Sequence, residues 1–183
     1  LATDLAATVL AMPVALFPVL NQERFGGDPR TLGLFLSAIA VGGLLAGVTS
    51  GPVTRAARPG LVGLVTAGVW GLALAGFGLV SGLVPTLAFL AVAGAADTIS
   101  VISRGALVQL ATPDPFRGRV TSVEYVVGAG GPGIGDARAG AVAGLFSAST
   151  AAVSGGLACV AVVAGLAVAS PALRRWRIPD RTS

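Results

Sequence analysis

Histidine and lysine are absent from this 183-residue chain, cysteine occurs once, and only 11% of the residues are charged. Without histidine, the commonest metal ligand and general base is missing. The single Cys159 lies in an apolar run, so neither an intrachain disulfide nor a cysteine metal cluster can form. No cofactor or metal is therefore expected. An intramembrane enzyme needs a nucleophile–base set or metal ligands at membrane depth, and no such set is visible, so the chain is not expected to be an enzyme. Globular chains typically carry roughly 25% charged residues, and here there is too little charge to coat a soluble particle. The chain opens Leu1-Ala2-Thr3-Asp4, without an initiator methionine or a basic segment ahead of an apolar one. That start does not read as a signal peptide and looks like a cut through a longer chain.

What is present is apolar. Hydrophobic residues make up 54% of the chain and the mean hydropathy is +0.87. They come in runs near the 20 residues or so that a helix needs to cross a hydrocarbon core of about 30 Å. Backbone groups cannot go unpaired in lipid, so such runs must be helices. A transmembrane barrel would show short alternating segments instead. The expected fold class is an all-α membrane protein with six transmembrane helices arranged as two three-helix repeats.

Six runs can be traced, at about 5–20, 31–50, 61–80, 86–111, 120–146 and 151–169. Pro13 and Pro18 interrupt the first. Gly43, Gly47 and Gly51 recur at four-residue spacing in and after the second, which predicts a close approach by another helix backbone. Residues 1–171 then form one six-helix domain, and residues 172–183 a basic cytoplasmic tail. With six spans, the 51–60 turn, the 112–119 turn and the tail share one side. They hold Arg55, Arg58, Arg117, Arg119, Arg174, Arg175, Arg177 and Arg181, whereas the opposite loops hold only Arg24 and Arg30, offset by Glu23 and Asp28. Basic residues favour the cytoplasmic side, so both termini are expected inside, and the basic excess reads as a topology signal rather than as nucleic-acid binding.

Ionisable groups inside a bilayer are expensive and usually face a cavity or a partner. The third and sixth runs have none, while the fourth and fifth hold Asp97, Arg104, Glu124, Asp136 and Arg138. The uncharged runs are therefore expected against lipid, and the charged ones toward a cavity or another protein face. Asp97 lies about 18 Å beyond Pro85 at 1.5 Å per residue, close to the midplane, where a carboxylate can hold a proton or pair with Arg104 seven residues on. Glu124, about 7.5 Å past Arg119, is expected to pair with Arg104, Arg117 or Arg119, or else to belong to a cytoplasmic gate. The stretch Gly128-Ala129-Gly130-Gly131-Pro132-Gly133-Ile134-Gly135 precedes Asp136 and Arg138 and is expected to bend or unwind, because Gly and Pro cost roughly 1 and 3 kcal/mol in a helix interior. It lacks the lysine and the preceding strand of a phosphate-binding loop.

Several stretches carry a family resemblance: Thr112-Pro113-Asp114-Pro115-Phe116-Arg117-Gly118-Arg119-Val120, Ala93-Gly94-Ala95-Ala96-Asp97, Gly135-Asp136-Ala137-Arg138-Ala139-Gly140 and Val153-Ser154-Gly155-Gly156. Over essentially its whole length the chain resembles the C-terminal six-helix half of a major facilitator superfamily transporter, in the enterobactin exporter-like efflux branch. The resemblance implies alternating access between two halves with substrate between them. It further implies proton-coupled export of a siderophore or a lipophilic drug-like compound, Asp97 as the coupling or substrate-contact residue, and Arg55, Arg58, Arg117 and Arg119 in cytoplasmic loops. The implied partners are the lipid bilayer of the inner membrane, a small-molecule substrate, protons and an N-terminal six-helix half that these residues do not include. Gly51-Pro52-Val53-Thr54-Arg55 departs from the family pattern in having no acidic residue before its arginine. The competing expectation is a non-transporting half-length membrane protein, a scaffold or a decayed gene product.

Overall fold

A computed structural model describes residues 2–11, 14–54 and 58–170. Every regular element among them is helical: α1 (Ala2–Leu10), a 3-10 turn (Val14–Leu16), α2 (Phe17–Phe25), α3 (Pro29–Val48), the single turn α4 (Gly51–Thr54), α5 (Pro59–Leu79), α6 (Leu83–Ala111), α7 (Asp114–Leu145) and α8 (Ala148–Ala169). Local chemistry sets several of the ends. Gly26 and Gly27 take positive φ at the close of α2, a conformation open to glycine without a Cβ clash. Asp28 then caps α3 by accepting the Arg30 amide at 3.0 Å, with Pro29 in the first turn. Ser147 Oγ accepts the Thr150 amide at 3.0 Å and starts α8.

Four helices are long and apolar enough to cross a membrane, over Pro29–Val48, Pro59–Leu79, Leu83–Gln109 and Ala148–Ala169. The other two expected spans fall short for physical reasons. The first run is divided into α1 and α2, each of 9 residues. The fifth became the 32-residue α7, which holds Asp114, Arg117, Arg119, Glu124, Asp136 and Arg138 and is too polar along its length. The glycine-rich stretch did not unwind as expected; α7 is continuous through Pro132. Unpaired backbone is costlier in an apolar medium than a poor helix residue, so the stretch stays wound. Its Gly131 instead lets Thr8 of α1 come close, with Thr8 Oγ1 2.5 Å from where a Cβ would stand.

The uncharged third run was expected against lipid, but α5 is the most enclosed span, with twelve of its 21 residues buried. It packs on α6, α8 and α1, and shows the outside only a stripe of Leu61, Val65, Val69, Leu72 and Leu79. Lack of charge suits protein interior and lipid equally, so hydropathy alone could not separate the two.

Glycines set the tight crossings. Gly42 of α3 lies against the Ala91 carbonyl and Gly94 of α6 against the Ile39 carbonyl, while Gly71 of α5 and Gly156 of α8 face each other's backbone. The crossing uses Gly42 and Gly43; the Gly51 expected to join it has open space around it. Above the α3–α6 crossing, Phe17, Phe35 and Phe77 meet edge to face at 5.6–6.0 Å between ring centroids. Arg24 closes that end of the bundle. Its Nη1 donates to Phe77 O at 3.0 Å and to Val80 O, and its Nη2 donates to Gly78 O at 2.5 Å and Ser149 Oγ at 2.6 Å. One guanidinium thus holds the ends of α2, α5 and α8 together.

Two outcomes follow. Gly94→Ala is expected to destabilise the bundle by about 2 kcal/mol, because the new methyl meets rigid backbone, whereas Gly63→Ala, with open space around it, causes no loss. Arg24→Lys keeps the charge but not the planar fork and is expected to cost about 2 kcal/mol. Both are read from the temperature at which a thiol-reactive dye labels Cys159, which is 0% exposed in the fold.

Candidate functional site

Helix α6 presents Asp97, Ser100, Val101 and Arg104 at the i, i+3, i+4, i+7 positions of one face. That face, with Ala7 and Thr8 of α1, Ala67 and Trp70 of α5 and Gly128 of α7, walls a cavity of about 220 Å³. Asp97 is the central residue of Leu83–Ala111 and is exposed toward this space. The walls combine an acid, a guanidinium, two hydroxyls and an indole, set among alanine, valine and glycine, in an otherwise apolar bundle.

Arg104 Nε donates to Glu124 Oε1 at 2.8 Å, and the two side chains are only 19% and 20% exposed. The pair joins α6 to α7, two consecutive helices that meet along little of their length. A charge-assisted bond screened from water is among the stronger polar contacts available to such a seam. Glu124 thus takes the first of the partners expected for it.

Asp136 and Arg138 lie elsewhere, against the end of α1. Asp136 Oδ1 accepts the Ala15 amide at 3.3 Å. Arg138 Nη2 donates to Ala151 O at 3.2 Å in α8, and its Nε is buried without a hydrogen-bond partner. The five charged residues therefore form two groups, one on the cavity and one on the first helix.

At the other end of α6, Arg117 folds back to donate to Gln109 O at 3.2 Å and Thr112 O at 3.3 Å, and pairs with Asp114 at 2.9 Å. It ties down the end of α6 as well as the start of α7. Arg119 and Arg58 are exposed. Arg55 and the 172–183 tail lie outside the described residues.

Reading the sequence passed over Trp70, Thr8, Ser100 and Arg24. The helical spacing from Asp97 already pointed to Ser100. Trp70 carried a signal too, since an indole N–H inside an uncharged span must find an acceptor; it donates to Ala11 O at 3.1 Å. Arg24 was discounted because Glu23 balanced its charge, and no sequence signal identifies the carbonyls it holds.

Comparison with known proteins agrees with this architecture. The profile of the transmembrane secretion effector family, of major facilitator type, matches residues 4–183. The chain is 27% identical over 180 residues to the enterobactin exporter of Shigella flexneri, covering 97% of this chain and 44% of that protein. It is 32% identical over 150 residues to the enterobactin exporter of Citrobacter koseri, covering 81% and 36% respectively. The chain thus spans less than half the length of the curated relatives it matches. No solved structure matches it. With a match over nearly its whole length, the chain belongs to the transmembrane secretion effector family, membrane transporters of the major facilitator type.

Proposed function

We propose that the chain forms one six-helix half of a secondary active exporter that moves a siderophore or a lipophilic drug-like compound. The observation that carries this reading is the polar cavity at the middle of an apolar bundle, with Asp97 at the centre of the α6 face lining it. The similarity to enterobactin exporters supports export of a siderophore-like small molecule. Substrate reaches the cavity by alternating access between this half and an N-terminal six-helix half. Asp97 carries the coupling proton or contacts the substrate. Arg104 stands one face-repeat away, and Glu124 holds Arg104 across the seam to α7. Asp136 and Arg138, on α7, support transport through their contacts with Ala15 and with Ala151 of α8. The protein sits in the inner membrane with both termini cytoplasmic, which places the Arg58, Arg117 and Arg119 side inside.

The test is energised efflux of ethidium, and of a catecholate siderophore, from cells that lack their own exporters and express the encoded protein. Asp97→Asn is expected to reduce efflux to the level of cells without the protein, and a protonophore is expected to do the same to the parent. Efflux that survives Asp97→Asn at the parental rate refutes the role given to Asp97.

The seam pair gives a second outcome. Glu124→Gln removes the charge from a bond worth about 1.5–3 kcal/mol and should slow efflux. The exchange of Arg104→Glu with Glu124→Arg should recover part of that loss if the pair holds α6 to α7, and none if Arg104 serves by its charge in the cavity.

A further inference from the structure

Just after α1, the Ala11 carbonyl and the Ala15 amide, which would bond each other in a continuous helix, are each satisfied by a side chain of another helix. In an uninterrupted helix the Ala15 amide would donate to the Ala11 carbonyl, four residues back. Here Ala11 O accepts Trp70 Nε1 from α5 at 3.1 Å, and the Ala15 amide donates to Asp136 Oδ1 of α7 at 3.3 Å. The turn before is intact, with Ala11 N donating to Ala7 O at 3.0 Å. Trp70 is 8% exposed and also walls the cavity. Ala7 and Thr8, one turn before Ala11, form the cavity wall opposite α6.

We propose that Trp70 and Asp136 are positioning residues that replace this backbone hydrogen bond and hold residues 2–10 where Ala7 and Thr8 close the cavity. The role needs a donor at position 70 and an acceptor at position 136. It does not need a charge at position 136. Proline at position 13 has no N–H to give the Val9 carbonyl four residues back, which weakens this part of the chain without removing the Ala15 amide or the Ala11 carbonyl as possible partners for each other. A carbonyl or amide left unpaired against apolar surroundings would cost free energy. The two side chains come from different helices, α5 and α7, both of which also pack on α1 and α8. The consequence for transport rests on the cavity being the working site; the replacement of the hydrogen bond does not.

The test is amide hydrogen exchange, resolved to single residues, on the encoded protein in lipid nanodiscs. Asp136→Ala is expected to speed exchange at the Ala15 amide about tenfold, because that amide loses its acceptor. Asp136→Asn, which keeps an oxygen acceptor, should leave it as in the parent. The double variant Trp70→Phe/Asp136→Ala frees the Ala11 carbonyl as well, so the Ala15 amide can bond it and should exchange as slowly as in the parent. An Ala15 amide that stays protected in Asp136→Ala, or exchanges as fast in the double variant as in the single, overturns the proposal. Ethidium efflux adds a readout of position 136: Asp136→Asn should transport like the parent and Asp136→Ala should not. Loss of efflux in Asp136→Asn with unchanged exchange assigns the residue a role by charge and overturns its role as an acceptor alone. If the parent itself moves no ethidium, the transport reading fails, while the exchange pattern still decides this inference.

Discussion

A backbone N–H or C=O in hydrocarbon has no water to satisfy it, and nearly every polar side chain placed in this bundle answers that constraint. Arg24 spends its donors on the carbonyls of Phe77, Gly78 and Val80 at the end of α5. Arg117 does the same for Gln109 and Thr112 at the end of α6, and Arg138 reaches the Ala151 carbonyl in α8. The C-terminal ends of α5 and α6 leave carbonyls without partners and carry partial negative charge, so the guanidinium there both completes hydrogen bonds and complements the dipole, whereas Arg138 adds a donor in the first turn of α8. Trp70 and Asp136 likewise partner the Ala11 carbonyl and the Ala15 amide just beyond the end of α1. Charges that look functional in a membrane sequence are here shared between backbone satisfaction and the cavity.

The same medium removes the hydrophobic drive for helix association and leaves close packing in its place. The two tight crossings, α3 with α6 and α5 with α8, are each made by glycines that face the other helix's backbone, which leaves no room for a Cβ on either side. Together with the long contact of α5 and α6 they make a firm slab of four apolar helices. Helix α7 has no such crossing with α6, and Gly128, Gly130 and Gly133 meet nothing within 4 Å. The polar cavity lies where that packing is missing, and the Arg104–Glu124 pair spans the seam beside it.

Much of this was legible in the sequence. The apolar runs located the four spans to within a few residues because a helix that crosses lipid must be long and uncharged. The charge distribution singled out α6 and α7, and helical spacing joined Asp97 to Arg104. What could not be read was direction. Hydropathy is the same for a residue facing lipid and one facing another helix, so α5 was placed outside when it lies at the centre. Composition also misjudged the Gly128–Gly135 stretch, since propensities measured in water undervalue the cost of opening a helix where water is scarce. Which glycines meet, Gly42 and Gly94 rather than Gly47 and Gly51, depends on the crossing point of two helices, and no local pattern encodes that point. For the same reason the bond between Asp136 and Ala15, 121 positions apart, had no trace in the sequence.

The two carboxylates that one sequence pattern grouped together are thus separated by what each touches. Asp136 accepts a backbone amide, and taking up a proton on that oxygen would compete with the bond that holds the first helix. Asp97 instead faces a cavity of about 220 Å³, which is why the proposed transport role falls on it and not on Asp136. A group that must change partners in every cycle belongs where such exchange leaves the scaffold intact, and a group whose partner must not change belongs on the backbone.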